Sequence, residues 1–136
     1  MATSGYSGTP LLKKLGIKPA MKLLLINQPD DYSDIVEMNL QSQLYKKNEI
    51  VDFVHLFVTH KKDFEKEMKK LKLLIKKNTA IIIWVSWYKK AAKMETDMNE
   101  EIIRSYALQN DLVDVKVCAV NEQWSGLKLV VPVAKR

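Results

Sequence analysis

Three apolar runs, each about the length of a β-strand, constrain most strongly how this chain can fold. They span residues 22–26, 51–59 and 80–87, and apolar and polar side chains hardly alternate within them. Continuous runs of this kind are typical of strands buried on both faces, as in a parallel sheet. Segments with apolar residues at helical spacing separate the runs. Strand and helix therefore alternate along the chain, which predicts a parallel sheet with helices on both faces.

The intervening segments carry signals for helices. Thr9 and Pro10 favour a helix start, since Thr caps free amides and Pro is tolerated at the first helical position, and Gly16 favours its end. A helix over 34–47 is predicted because Val36, Leu40 and Leu44 form one stripe. The two later helices are predicted to open at Asp63, with Phe64, Met68, Leu71 and Ile75 at helical spacing, and at Asp97, with Glu100 as a capping box and an end near Asn110.

The last two apolar segments, 113–120 and 127–133, are separated by the six residues 121–126. Strands joined by so short a connection are antiparallel. The fold class predicted is therefore α/β: a Rossmann-like three-layer sandwich, with a mainly parallel sheet of about five strands and a C-terminal antiparallel hairpin. At 136 residues the chain fits one domain, 1–136, in which residues 1–9 form an N-terminal arm.

The net charge of +6 raises the question of a nucleic-acid partner. The basic residues are 20 Lys and only 2 Arg, although Arg is the usual choice for bidentate contacts with bases and phosphates. Eight lysines crowd the third helix, either as a solvated helix face or as a footprint for an anionic surface: Lys61, Lys62, Lys66, Lys69, Lys70, Lys72, Lys76 and Lys77.

The single cysteine, Cys118, excludes an internal disulfide and is expected to be an inert packed thiol. No apolar run approaches the length of a membrane span, and the N-terminus has no basic-then-apolar leader pattern. We therefore expect a cytoplasmic protein that does not engage a membrane.

Several stretches spread along the chain together resemble a bacterial family known only as a domain of unknown function. They include GYSGTPL (5–11), KLGIKP (14–19), HLFVT (55–59), WVSW (84–87), VDVKVCAV (113–120) and WSGLK (124–128). The lead-in over 15–25 and the antiparallel end also resemble class I methyltransferase folds. Two positions depart from the family pattern: Ala20 replaces a usual Gly, and Tyr88 replaces a usual Pro. The resemblance implies a compact α/β fold and no particular activity.

A site is predicted at one edge of the sheet, because open α/β sheets bind ligands beyond the carboxyl ends of their parallel strands. The polar and aromatic stretches that follow the strands, together with the start of the first helix, are expected to converge there. The candidate ligand-binding residues are Gly5, Tyr6, Ser7, Gly8, Thr9, Asn27, Ser86, Trp87, Lys89, Lys90, Glu122, Trp124 and Ser125.

An anion is one ligand that this edge suits. The first helix would offer unpaired amides and the Thr9 hydroxyl, Gly5 and Gly8 would allow close backbone approach, and Lys89 and Lys90 would add charge. Alternatively, Thr9 only caps its helix and the glycines only shape the arm. The tryptophans leave a similar choice: Trp84 is expected within the sheet, whereas Trp87 and Trp124 either cover a small core or stack on a ligand.

Catalytic and cofactor signals are weak. The loop over 27–31 has no glycine for an adenosylmethionine, dinucleotide or phosphate loop, and the strand that would carry a ribose-binding acid is missing. Ser86 lacks a nucleophile elbow, His55 and His60 have no metal-ligand spacing, and one cysteine cannot build a zinc site. His55 is expected to be a hydrogen-bonded strand residue. We therefore expect no catalytic residue, no metal and no cofactor.

These observations favour a non-catalytic binding or interaction module that holds an anionic small molecule or a protein partner at the sheet edge. The first alternative is a degenerate S-adenosylmethionine-dependent methyltransferase-like transferase. The second is a nucleic-acid-binding accessory protein that uses the lysine-rich helix.

Overall fold

A computed structural model describes residues 10–136 and contains a five-stranded sheet in the order β1-β2-β3-β5-β4. Strands β1, β2 and β3 pair in parallel, and β5 lies antiparallel between β3 and β4. The predicted Rossmann-like α/β sheet with its antiparallel C-terminal hairpin is confirmed. The strands are β1 (Leu23–Ile26), β2 (Phe53–Phe57), β3 (Ile82–Tyr88), β4 (Val113–Ala119) and β5 (Trp124–Val130).

Helices cover both faces of the sheet, which completes the predicted three layers. On one face, α3 and α4 bury side chains such as Phe64 and Ile103 in one apolar cluster. On the other face, α1 and α2 bury Leu15 and Val36 in a second cluster. The helices are α1 (Leu11–Leu15), α2 (Tyr32–Val36), α3 (Lys61–Lys77) and α4 (Glu100–Gln109). The predicted arm, residues 1–9, lies outside the described residues.

The prediction of a helix over 34–47 is wrong. Helix α2 ends after Val36 because Glu37 adopts a left-handed conformation, with φ at 57°. The Glu37 N–H donates back to the carbonyl oxygens of Asp34 and Ser33. The Asn39 side-chain oxygen then accepts the Gln41 N–H at 2.9 Å, a local bond that competes with the helical pattern. The apolar stripe correctly predicts burial, since Val36 and Leu40 lie in the core, but a turn delivers them there.

Several element limits also differ from the predictions. The cap of α4 is Asn99, whose Oδ1 accepts the Ile102 N–H at 2.9 Å, whereas Asp97 accepts the Lys61 N–H at 2.6 Å and ties the two helix starts together. Helix α3 begins at Lys61, ahead of Asp63. Strand β5 begins at Trp124, which shortens the hairpin connection.

The chain reverses its direction of travel across the sheet at β1. Leu23 of β1 pairs with Phe53 of β2 on one side and with Leu44, through an isolated parallel bridge, on the other. After β1 the chain therefore moves outward to Leu44 before it returns on the opposite side as β2. The gap beyond the carboxyl ends of β1 and β2 is thus a topological switch point, where open α/β sheets bind ligands.

The far edge of the sheet is irregular. Asp114 pairs with Leu129 and Lys116 pairs with Lys128, so Val115 is an extra residue opposite β5. This arrangement is a β-bulge in an edge strand, and Val115 is half exposed. Within residues 10–136, no helix has the length and apolar character that a membrane crossing needs.

Helix α1 is anchored to the middle of the sheet by Trp84, which is fully buried as predicted. Its indole Nε1 donates to the carbonyl oxygen of Leu15 at 2.9 Å, and that carbonyl belongs to the last turn of α1. Gly16 follows with φ at 82°, a conformation that favours glycine and ends the helix.

Replacing Trp84 with Phe is expected to lower the free energy of unfolding by about 2–4 kcal/mol, because a cavity forms and the Leu15 carbonyl loses its donor. Urea denaturation would measure the loss. Trp87→Phe is the matched control, since Trp87 is also buried but makes no hydrogen bond to the described residues through its indole. Equal losses in the two variants would show that the Trp84 hydrogen bond contributes nothing.

Candidate functional site

A cleft of about 370 Å³ lies at the switch point beyond the carboxyl ends of β1 and β2. Its wall is built from segments that follow three of the strands and from the turn before β5. This volume falls within the range of small-molecule sites in proteins. The lining residues are Asn27, Pro29, Phe57, Val58, Thr59, Asp63, Tyr88, Gln123 and Trp124.

Aromatic rings form one side of the cleft, which we call the aromatic wall. Tyr88 and Trp124 are stacked, with centroids 4.2 Å apart and planes 29° apart, and Phe57 meets Trp124 edge-on at 5.0 Å. The β3–β5 pairing fixes this group, since Tyr88 lies opposite Trp124 and the Lys89 N–H donates to the Gln123 carbonyl at 2.8 Å. Trp124 is 7% exposed, so Tyr88 offers more ring surface.

Polar groups line the opposite side. The Thr59 hydroxyl lies 2.9 Å from His60 Nδ1, which is in turn 3.9 Å from a carboxylate oxygen of Asp63. Asp63 stands in the first turn of α3, where the helix dipole favours a negative charge. Asn27 holds a left-handed conformation, with φ at 58°, as the chain leaves β1. Among the described residues that line the cleft, Asp63 alone has a charged side chain.

The structure brings some of the predicted site residues together and separates others. Asn27 and Trp124 line the cleft. Lys89 contributes a backbone bond to its rim, Lys90 is exposed in a short 3-10 turn, and Glu122 is exposed in the hairpin turn. Five predicted residues lie outside the described residues: Gly5, Tyr6, Ser7, Gly8 and Thr9.

Ser86, Trp87 and Ser125 do not line the cleft. Successive strand side chains point to opposite faces, so Ser86 lies on the α1–α2 side and Trp87 packs with α3 and α4. Ser125 pairs with Trp87 in the ladder. The alternation of residues 82–88 was a signal for this separation. Tyr88, the departure from the family pattern, stacks on Trp124 in the aromatic wall, and an aromatic residue at the end of an apolar strand was the sequence signal for that position.

A buried polar chain lies behind the cleft. His55 Nδ1 is 2.8 Å from the Tyr32 hydroxyl, and its Nε2 is 2.7 Å from Ser86 Oγ. His55 and Ser86 are completely buried, and Tyr32 is 4% exposed. The predicted role of His55 as a hydrogen-bonded strand residue is therefore confirmed. The order Ser–His–Tyr resembles a nucleophile, a base and an orienting group, but Ser86 has no exposed surface for a substrate to meet.

Burial sets the protonation states of His55 and Tyr32 in this buried hydrogen-bonded group. Desolvation lowers the pKa of His55 from 6.5 to about 3 and raises the pKa of the Tyr32 hydroxyl above its ordinary value. The imidazole is neutral at pH 7, so one ring nitrogen donates and the other accepts. The three side chains connect α2, β2 and β3 by hydrogen bonds through the core.

Other chemistry has little support. Across residues 10–136, no three His, Cys, Asp or Glu side chains are grouped so that they could hold a metal ion. Cys118 is partly buried, and desolvation raises its thiol pKa even though nearby lysines oppose that shift. A buried thiol with a raised pKa is a poor nucleophile.

Acid is expected to destabilise the protein through His55. Between pH 6.5 and 3 the unfolded chain binds a proton at this histidine and the folded chain does not, so the free energy of unfolding falls as pH falls, by up to about 1.4 kcal/mol per pH unit. His55→Gln removes the titration and flattens this dependence in urea denaturation from pH 4 to 7. His60→Gln, at an exposed histidine, is the control. Identical slopes in wild type and His55→Gln would contradict the assignment.

No protein-family model matches the sequence, and no curated protein shows significant similarity to it. Among solved structures, the chain is similar to a protein in the NADB-Rossmann superfamily from Streptococcus agalactiae, with 9% identity and a TM-score of 0.51, over 93% of this chain and 70% of that one. It also aligns with a SAM dependent methyltransferase from Aquifex aeolicus, with 13% identity and a TM-score of 0.48, over 89% and 87% of the two chains.

At 9% identity the first likeness indicates the fold alone: a Rossmann-like arrangement with an antiparallel end. Membership in the bacterial family of unknown function stays a prediction. This chain adopts a Rossmann-like α/β fold with a cleft at its switch point.

Proposed function

We propose that this chain is a small-molecule-binding module and that its ligand occupies the cleft between the carboxyl ends of β1 and β2. The observation that carries the proposal is the coincidence of the cleft with the topological switch point, since Asn27 and Pro29 come from one strand end and Phe57 and Thr59 from the next. The crevice at a switch point is the usual ligand site of open α/β sheets.

The lining favours a polar ligand with a planar ring. Tyr88 can stack against a ring, and the side chains of Asn27, Thr59 and Gln123 supply hydrogen-bond donors and acceptors. Because Asp63 is the charged side chain of the described lining, the ligand is neutral or positively charged. The anionic ligand expected from the sequence depended on residues 5–9 and on the Lys89 and Lys90 side chains, and the described lining includes none of these.

Binding without catalysis fits the buried state of the Ser86–His55 pair behind the cleft. Ser86 Oγ and His55 Nε2 are in hydrogen-bond contact but are enclosed by the core. A methyltransferase-like transferase would instead need a cofactor-binding loop after β1. Residues 27–31 contain no glycine that would let a cofactor approach the backbone.

A thermal-shift and tryptophan-fluorescence screen would test the proposal with adenosine, adenosylmethionine, nucleotides and sugar phosphates. Stabilisation by ring compounds that carry no phosphate supports it. Stabilisation confined to adenosylmethionine and its demethylated product supports the methyltransferase-like alternative. Stabilisation by phosphates alone, with no response to any ring compound that lacks a phosphate, contradicts the proposed ligand class.

For any ring compound that binds, Tyr88→Leu is expected to weaken affinity about fivefold, because a stacked aromatic contact contributes on the order of 1 kcal/mol. Isothermal titration would measure the change. Tyr106→Leu is the matched control, since Tyr106 packs against Phe64 on the opposite face of the sheet. Equal weakening by both variants, or none by Tyr88→Leu, would place the ligand elsewhere.

A further inference from the structure

A row of lysines crosses the face of the sheet that lies under α1. Lys116 of β4 and Lys128 of β5 are direct cross-strand partners, and Lys128 is in turn the partner of Trp84 in β3. The Lys116 Nζ donates to the Lys14 carbonyl at 3.3 Å, which brings the row to the last turn of α1. We call Lys14, Lys116 and Lys128 the lysine row.

No acidic side chain pairs with the lysine row in the part of the chain that the structure describes. None of its three amines forms an ion pair within residues 10–136. The remaining residues, 1–9, contain neither Asp nor Glu and so cannot supply one. Like charges that face each other across a ladder are destabilising.

Burial increases the repulsion within the lysine row. Lys128 is partly buried, and both desolvation and the charge of Lys116 lower its ammonium pKa. The charges of Lys116, Lys14 and Lys89 all act on the neighbouring Cys118 thiol. Charges with partial desolvation interact more strongly than exposed ones. A local cost that no acidic partner offsets within residues 10–136 is the kind of departure that marks a functional position.

We propose that the lysine row is an anion site that binds the phosphate group of a small molecule. A phosphate would lie between the ammonium groups and replace their repulsion with attraction, as lysines act as point charges toward phosphate. This site is separate from the cleft, because Lys128 lies four residues along β5 from Trp124, or about 13 Å. The proposal is therefore independent of the proposed function.

The geometry favours a small phosphate ligand over a polynucleotide. A polynucleotide is held by many phosphate contacts along a continuous stripe. The lysine row is confined to one place beneath α1, and the sheet separates it from the lysines of α3, which covers the opposite face. The lysine row therefore suits one phosphate or diphosphate group.

Titration of pyrophosphate and of inorganic phosphate in a low-salt buffer free of other multivalent anions would test this proposal, with thermal shift and isothermal titration as readouts. Lys116→Met and Lys128→Met keep the length of the side chain and remove its charge. Each is expected to weaken pyrophosphate binding about tenfold, the loss of one charge-assisted contact. Lys128→Arg keeps the charge and retains binding. The control is Lys69→Met, at an exposed position on α3 that forms no ion pair within residues 10–136.

Two further outcomes separate a binding role from a purely structural one. Without added anion, Lys128→Met is expected to unfold at a higher temperature than wild type because repulsion is removed, whereas a structural lysine would cause a loss. Pyrophosphate is also expected to slow alkylation of Cys118, the single thiol of the chain, because a bound anion offsets the positive charges that lower the thiol pKa. Lys116→Met should slow it likewise.

The proposal fails if pyrophosphate gives no shift, if Lys69→Met weakens binding as much as Lys116→Met, or if a single-stranded oligonucleotide binds at the row while pyrophosphate does not. The last result would assign the row to a polynucleotide partner.

Discussion

The position of β5, antiparallel between β3 and β4, is the constraint on which the rest of the structure depends. Its pairing with β3 sets Trp124 against Tyr88 and thereby builds the aromatic side of the cleft. Its pairing with β4 sets Lys128 against Lys116 and thereby builds the lysine row. A shift of one residue in either ladder would turn each of these side chains to the opposite face of the sheet. Two candidate sites thus depend on one register.

The core is specified by polar contacts as well as by apolar packing. A buried hydrogen-bond network connects one helix and two strands through Tyr32, His55 and Ser86. Each donor and acceptor in this network restricts how those elements can shift. A buried polar group without a partner is costly, so a satisfied network favours one packing arrangement over its alternatives. The network lies behind the aromatic wall, since His55 stacks on Phe57 at 4.3 Å and Phe57 in turn meets Trp124. It therefore supports the shape of the cleft from within the core.

Much of the fold could be predicted because its signals are local. The apolar runs indicate three buried strands, and the short last connection indicates an antiparallel pair. The prediction of a helix over 34–47 failed because Glu37 adopts a left-handed conformation that no nearby residue type indicates. The contact between Tyr32 and His55 spans 23 residues of sequence, and the pairing of Lys116 with Lys128 depends on the bulge at Val115. Neither is encoded in a local pattern, so the sequence predicted an edge but not which side chains meet there.

The bulge at Val115 has a consequence for the protein in a crowded solution. At the other end of the sheet, the bridge from Leu44 and the bond from the Tyr45 N–H to the Leu23 carbonyl occupy the open side of β1. Among residues 10–136, that leaves β4 as the edge strand to which a strand of another molecule could pair. An extra residue breaks the regular spacing of its free N–H and C=O groups, and Lys116 adds a charge there, two devices by which natural sheets resist aggregation. Lys116, whose charge repels Lys128 within the folded protein, thus also helps to prevent association between molecules.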